Sequence, residues 1–154
     1  MPTRGLCALL LAVFALPAAA QDAERGTAEE AQAMVARAIA LYDEAGMGEA
    51  LRQVSKSPSF RDRDLYVFIL DTAGTVAAHA RYPQSVGTNA LNAVDPRGTH
   101  YVQEMLRRAT EEGVWVDYVF LDPATGQPTP KSTWTVRHDM FIFACGIYVG
   151  EVGI

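Results

Sequence analysis

One lysine in the second half of the chain is placed to bind an anion. Lys131 follows a turn over 122–130 that contains three prolines, and it begins a predicted strand over 131–137. An ammonium that projects across the half-buried face of a sheet can pair with a carboxylate, and this contact is much stronger in a low-dielectric pocket than in water. The alternative is a solvated lysine at the end of a strand. Lys131 is the first candidate for charge recognition.

The strand predicted over 114–121 carries a second group of candidates. Its sequence is VWVDYVFL, and successive side chains of a strand point to opposite faces. Tyr118 would present a hydroxyl on one face, whereas Trp115 and Asp117 would present an indole N–H and a carboxylate on the other. Only one of these sets can line a pocket. The sequence leaves open which one does, and aromatic residues in strands are commonly core residues.

Three further residues lie near the ends of predicted strands. His79 and Tyr82 stand where the strand over 75–79 meets a turn-rich segment, 81–97. A neutral imidazole there can hydrogen-bond a ligand oxygen or hold the loop in place, and we favour the loop. Tyr148 follows Gly146 in the last strand, where a glycine indicates a close backbone approach or a bulge that makes room for a ligand.

The chain lacks the spacings of common metal sites and catalytic motifs. His79, His100 and His138 are far apart in the sequence and have no neighbouring cysteine. The sequence contains no G-x-S-x-G, no C-x-x-C-H, no phosphate-binding glycine loop and no H-E-x-x-H. We therefore predict a binding protein that has no catalytic residues, no metal and no cofactor.

Charge and composition exclude other classes of protein. The 154 residues include 13 Lys and Arg against 18 Asp and Glu, for a formal net charge of −5, and no basic cluster. Binding to nucleic acid is not expected, because neutralising phosphates requires such a cluster. A hydrophobic fraction of 49% and a charged fraction of 20% exclude a disordered chain.

The first twenty residues have the composition of a secretory signal. Arg4 precedes an apolar segment over 6–16, and small residues end the segment at Ala20. We predict cleavage after Ala20, which leaves one periplasmic domain over 21–154. The alternative is an uncleaved membrane anchor, for which the apolar run is too short. Cys7 is lost with the signal, so Cys145 is left as a single thiol, expected in the core.

Apolar spacing predicts an α+β fold. Thr27 and Glu30 form a capping box that opens a long helix over 28–45, and a short helix follows over 49–54. Asp71 and Gly74 form a tight turn between two strands. The pattern predicts a further helix over 99–112. It also predicts five strands in one antiparallel sheet, at 65–70, 75–79, 114–121, 131–137 and 141–149. The long helix should cover one face, and the loop and helix over 80–112 the other.

The chain resembles the single Cache domains (type 2-like), which are extracytoplasmic sensor modules with a PAS-like fold. The likeness extends over about residues 28–150. It is carried by DLYVFILDTAGTVAAHARYPQSVG at 64–87, GVWVDYVFLDPATGQPTPKSTWTV at 113–136, FACGIYV at 143–149 and the helix before them. The resemblance implies a ligand on one face of the sheet with a lysine nearby, at Lys131. His79, in a His-x-x-x-Pro stretch, matches a position that is commonly His in these domains.

The resemblance predicts a periplasmic sensor module for a small organic acid. Lys131 would supply the charge, and Tyr118, Trp115, His79 and Tyr148 would fix the orientation of the ligand. Tyr82 and Asp117 are further candidate ligand-binding residues. Typical members are held between two transmembrane helices, and this sequence shows no second apolar segment after the last strand. We therefore expect a separate membrane signalling partner. The alternative is an interaction module with a closed pocket that docks a membrane partner. A homodimer through the long helix, as in the family, stays open.

Overall fold

A computed structural model describes residues 25–150, and the predicted signal over 1–20 lies outside these residues. The helices are α1 Ala28–Ala45, α2 Met47–Lys56 and α3 Tyr101–Arg108. The strands are β1 Arg61–Asp62, β2 Leu65–Asp71, β3 Val76–His79, β4 Val114–Leu121, β5 Pro128–His138 and β6 Phe141–Tyr148. None of the described helices is long and apolar enough to cross a membrane.

The strands form one antiparallel sheet in the order β1-β2-β6-β5-β4, and β3 also pairs with β2. The predicted α+β fold with an antiparallel sheet is confirmed. The five predicted strands are present, and the two-residue β1 is a sixth that the sequence did not predict. Asp71 and Gly74 make the predicted turn, where Asp71 Oδ1 accepts hydrogen bonds from the backbone N–H groups of Ala73 and Thr75.

The two boundaries that differ most from the prediction are set by distant residues. Strand β5 begins at Pro128, three residues early, because β4 pairs with it as far as Leu121. Helix α3 ends at Arg108 rather than near residue 112. There the guanidinium of Arg137, on β5, donates hydrogen bonds to the carbonyls of Leu106 and Ala109 and caps the end of the helix.

Helix α1 covers one face of the sheet. It opens with the predicted capping box, in which Thr27 Oγ1 accepts from Glu30 N and Glu30 accepts from Thr27 N. Its apolar stripe is buried against β6, β2 and β5. At its other end Tyr42 meets Phe141 and Phe143 edge-on, with ring centroids 6.0 and 5.7 Å away. We call this side of the sheet the α1 face.

Helix α3 and the loop before it lie on the opposite side, which we call the α3 face. The ring of Tyr101, at the start of α3, stacks on Tyr118 of β4 with centroids 4.6 Å apart. In the preceding loop, Asp95 Oδ2 accepts a hydrogen bond of 2.8 Å from Val119 N and so ties the loop to β4. The predicted candidate residues lie mainly between these elements and the sheet.

Candidate functional site

Three candidate residues form one row across the α3 face. Lys131 on β5 pairs with Tyr118 on β4 and with Tyr148 on β6. Residues directly opposite each other in antiparallel strands project to the same face, so the three side chains are neighbours. The strand pairing therefore brings residues that are far apart in the sequence to one place.

Lys131 is buried rather than solvated. Its exposed fraction is 1%, and its Nζ donates a hydrogen bond of 2.6 Å to the hydroxyl of Tyr66 on β2. Aromatic rings surround the ammonium: Nζ lies 4.0 Å from the ring centroid of Tyr66, 4.9 Å from Tyr148, 5.3 Å from Phe120 and 5.9 Å from Phe68. Ring faces are electron-rich and attract a cation at these distances.

The ammonium of Lys131 lacks an anionic partner among residues 25–150. Among these residues no carboxylate lies within 4.0 Å of Lys131 Nζ. Tyr66 accepts from one of the three N–H donors of the ammonium, and the other two have no acceptor among residues 25–150. Burial lowers the pKa of Lys131 from 10.5 to about 7, because desolvation disfavours the charged form. The site is therefore a buried cation that a bound anion would stabilise.

A chain of hydrogen bonds leads away from the ammonium. Lys131 Nζ donates to Tyr66 Oη, the Tyr66 and Tyr148 hydroxyl oxygens are 3.0 Å apart, and Tyr148 Oη donates to the carbonyl of Leu121 at 2.8 Å. Because Tyr148 already donates to Leu121, Tyr66 donates to Tyr148. Tyr66 thus uses its oxygen as the acceptor for Lys131, in the place that a ligand oxygen could take.

His79 holds the loop and faces the same aromatic cluster. Its Nδ1 accepts hydrogen bonds from the backbone N–H of Arg81 at 3.2 Å and of Tyr82 at 3.0 Å, so the ring proton is on Nε2. Burial, together with the charge of Lys131, lowers the pKa of His79 to about 3 and keeps it neutral. Its ring stacks on Tyr66 with centroids 5.2 Å apart, and Nε2–H has no acceptor in the described residues.

Gly146 makes room for the Lys131 side chain. A Cβ atom at this position would lie 2.5 Å from Lys131 Cε and 2.3 Å from Thr133 Oγ1, closer than such contacts ever occur. The lysine stem therefore crosses β6 where there is no side chain. The close approach predicted from a glycine in this strand is present, and it serves the lysine directly.

Tyr82 joins the site, whereas Trp115 and Asp117 do not. Tyr82 meets Tyr66 edge-on with centroids 5.9 Å apart. Trp115 pairs with Trp134 on the α1 face, and the exposed Asp117 accepts a hydrogen bond from Ser132 there. The grouping of Trp115 and Asp117 with Lys131 is corrected, because the alternation along β4 directs them away from Tyr118.

The sequence did not single out four aromatic residues that line the site. Tyr66 and Phe68 lie on β2, Phe120 on β4, and Tyr101 at the start of α3. Phe120 shares the face of Tyr118 by alternation, which could have indicated it. Tyr66 and Phe68 could be found only by knowing that β2 lies two strands away from β5.

The chain matches a known protein family over almost its whole length. The model of the family described as Single Cache domain 2 matches residues 9–151. The chain belongs to the single Cache domain 2 family. Cache domains are extracytoplasmic sensor modules of chemoreceptors and histidine kinases, so the resemblance noted in the sequence is confirmed.

One curated relative matches most of the chain. The sensor histidine kinase MctS of Rhizobium johnstonii is 30% identical over 118 residues. The match covers 73% of this Cache domain chain and 26% of the kinase. The chain thus spans about a quarter of the length of the curated relative that it matches.

Solved structures share the fold at low sequence identity. A methyl-accepting chemotaxis protein from Vibrio parahaemolyticus aligns with a TM-score of 0.66 at 20% identity, over 84% of this chain and 91% of that one. A Cache chemosensory domain described for carboxylic acid recognition aligns with a TM-score of 0.59 at 19% identity, over 79% and 88%. These likenesses establish the Cache fold of the chain.

Proposed function

We propose that this Cache domain is a periplasmic sensor module that binds a small organic acid through its carboxylate. The observation that carries the proposal is the Lys131 ammonium, 1% exposed and without a carboxylate within 4.0 Å among residues 25–150. A buried charge is costly unless it is paired. A ligand carboxylate at Nζ supplies the missing charge and accepts the unused N–H donors.

The walls of the site favour an acid with one carboxylate and a short tail. In the described part of the chain Lys131 is the cation that several rings of the cluster surround without a carboxylate partner, whereas Arg25 contacts Tyr148 alone and is paired with Asp64 and Asp122. His79 is neutral. A second carboxylate would lie against electron-rich ring faces without compensation. The neutral Nε2–H of His79 can instead donate to a hydroxyl or keto oxygen. The structurally similar Cache chemosensory domain, which is described for carboxylic acid recognition, supports this class of ligand.

Entry of the acid requires a rearrangement, since the site is closed by its own side chains. Tyr66 is 1% exposed, Tyr118 5%, Tyr148 6% and His79 8%. The acid would replace the hydroxyl of Tyr66 as the acceptor for Lys131. Tyr82 and the loop that His79 holds cover the cluster from outside, so they are the elements that would move aside.

Occupancy of the site would be passed to a membrane signalling partner, without catalysis. The curated relative is a sensor histidine kinase of which the matched part is only a quarter, which supports a sensory role for the domain. In this proposal the domain recognises the acid and changes its contacts, and a partner carries the output.

The two lysines of the chain, Lys131 and Lys56, provide a matched test. Lys56 is exposed at the end of α2. We expect acetate, propionate or pyruvate to stabilise the wild-type domain in a thermal-shift assay, by about 2.7 kcal/mol at 100 times the dissociation constant. Lys131→Met should abolish the shift and Lys56→Met should retain it. Equal shifts in the wild type and in Lys131→Met would contradict the proposal.

The closure of the site also favours a second candidate, an interaction module that docks a membrane partner. A cluster that is filled by Tyr66, Tyr148 and Lys131 needs no ligand to exclude water. In that case no small acid would shift the melting temperature, and Lys131→Met would bind the partner as the wild type does. The same thermal-shift panel therefore separates the two candidates.

A further inference from the structure

A second buried charge cluster lies beside the site, at the start of the described chain. Arg25, which precedes α1, contacts two carboxylates: Nη2 lies 2.7 Å from Asp122 Oδ2, and Nη1 lies 3.4 Å from Asp64 Oδ2. Both carboxylate side chains are buried, with exposed fractions of 0% and 1%. Asp64 precedes β2 and Asp122 follows β4, so one guanidinium joins the segment before α1 to both of these strands.

The backbone around Arg25 is docked as well. Gly26 N donates a hydrogen bond of 2.7 Å to Asp64 Oδ1, and the carbonyl of Arg25 accepts one of 2.8 Å from Arg63. Gly26 lies so close to Leu65 that a Cβ atom there would be 2.1 Å from Leu65 Cγ. The segment before α1 is therefore held against the end of the sheet at this point.

This cluster, Arg25 with Asp64 and Asp122, shares an aromatic ring with the site. The guanidinium carbon of Arg25 lies 5.9 Å from the ring centroid of Tyr148, and Lys131 Nζ lies 4.9 Å from the same centroid. Tyr148 Oη donates to the carbonyl of Leu121, the residue before Asp122. The negative charges of Asp64 and Asp122 also act on Lys131, where they raise its pKa against the effect of burial.

The charges of this cluster decide how it acts on an acid at Lys131. Two carboxylates and one guanidinium give a net charge of −1, which repels a second anion through a low-dielectric interior. Without Arg25 the net charge would be −2, and the repulsion would be stronger. Where Lys131 is charged, below its pKa of about 7, a docked Arg25 therefore favours acid binding. Coupling between two equilibria is reciprocal, so a bound acid favours the docking of Arg25 by the same factor.

We propose that Arg25 couples the acid site to the segment that enters α1, because the docked guanidinium offsets the buried carboxylates beside that site. This inference rests on the proposed acid binding. It adds a route by which an acid bound at Lys131 affects the segment before helix α1. Arg25 is already docked where Tyr66 accepts from Lys131, so a bound acid would strengthen this contact rather than create it.

Charge-matched variants test the coupling by titration with acetate, propionate and pyruvate at about pH 6, where Lys131 is charged. Arg25→Gln leaves a net charge of −2 and should weaken acid binding about five-fold or more. Asp122→Asn leaves no net charge and should strengthen it. The double variant Arg25→Gln/Asp122→Asn has the wild-type net charge of −1, so its affinity should return to within about two-fold of the wild type. Arg52→Gln removes an exposed arginine that pairs with Glu49 and serves as the control.

Hydrogen exchange of the whole chain measures the reciprocal effect. The acid should slow exchange in a peptide over 26–31 in the wild type and in Arg52→Gln, but not in Arg25→Gln. Wild-type affinity in Arg25→Gln, or unchanged exchange in this peptide with acid bound, would overturn the coupling while acid binding stands. If Arg25→Gln does not fold, Asp122→Asn decides, because unchanged affinity there overturns the coupling. If the wild type binds none of the acids, the proposed function itself fails.

Discussion

The two faces of the sheet differ in the polar groups that they bury. On the α1 face, Phe143 and Cys145 are fully buried among apolar side chains, and Tyr42 packs on Phe143 from the helix. On the α3 face, Lys131 and Thr133 are equally buried but polar. Apolar packing stabilises the fold, whereas a buried ammonium destabilises it until an anion arrives. The α1 face therefore holds the domain together, and the α3 face is suited to binding.

Removing a large ring from the α1 face should have the largest effect. Phe143 is 0% exposed, and truncation of such a side chain costs lost burial and leaves a cavity. We expect Phe143→Ala to lower the free energy of unfolding by about 3–5 kcal/mol. Chemical denaturation measures this, and the folded fraction should still bind the acid. A loss below about 1 kcal/mol would show that this face does not carry the stability.

On the α3 face, the corresponding change should have the opposite sign. Lys131→Met replaces a buried cation by an apolar side chain of similar length, and Tyr66 keeps its partner Tyr148. Such replacements are commonly stabilising, so we expect the free energy of unfolding without ligand to rise by about 1–4 kcal/mol at pH 7. Denaturation of both proteins in parallel is the measurement. A destabilised Lys131→Met would mean that the ammonium already has an adequate partner.

The free energy of unfolding should depend on pH through Lys131, by about 2 kcal/mol in the wild type relative to Lys131→Met. The pKa of Lys131 is lowered to about 7 in the folded state from 10.5 in the unfolded state. Between these values the unfolded chain binds more protons, so stability rises with pH. We expect the wild type to gain about 2 kcal/mol relative to Lys131→Met between pH 7 and pH 9.

Acid binding should change with pH in the opposite direction. A carboxylate requires the charged ammonium, so affinity should fall as the pH rises above about 7. Titration calorimetry in buffers of different ionisation enthalpy should show proton uptake on binding. A parallel pH profile in the wild type and in Lys131→Met would show that another group is responsible.

Local signals in the sequence predicted the α1 face more completely than the α3 face. The capping box of Thr27 and Glu30 and the apolar stripe of α1 are patterns within a few residues of each other, and both are present. The alternation in β4 correctly separated Tyr118 from Trp115. Such features depend on local geometry, which a single sequence records.

The partners of Lys131 depend on contacts between distant parts of the chain. Tyr66 reaches the ammonium only because β6 lies between β2 and β5, and strand order cannot be deduced from spacing. Arg25 meets Asp122 for the same reason, since almost the whole domain separates them in the sequence. The end of α3 was also missed, because Arg137 from β5 fixes it. Tertiary contacts decide these features, and they outweigh local propensity.

The smallest effect is expected from a charge on the α1 face of β4. Asp117 is exposed, and its Oδ1 accepts a hydrogen bond from Ser132 Oγ. Asp117 precedes Tyr118 in β4 and therefore points to the other side of the sheet. We expect Asp117→Asn to change acid affinity by less than about two-fold and stability by less than about 0.5 kcal/mol. Titration with the acid that binds the wild type measures this. Because the substitution removes a negative charge near β5 without touching the α3 face, a large gain in affinity would show that the sheet does not isolate the site, and the contrast between the two faces would no longer hold.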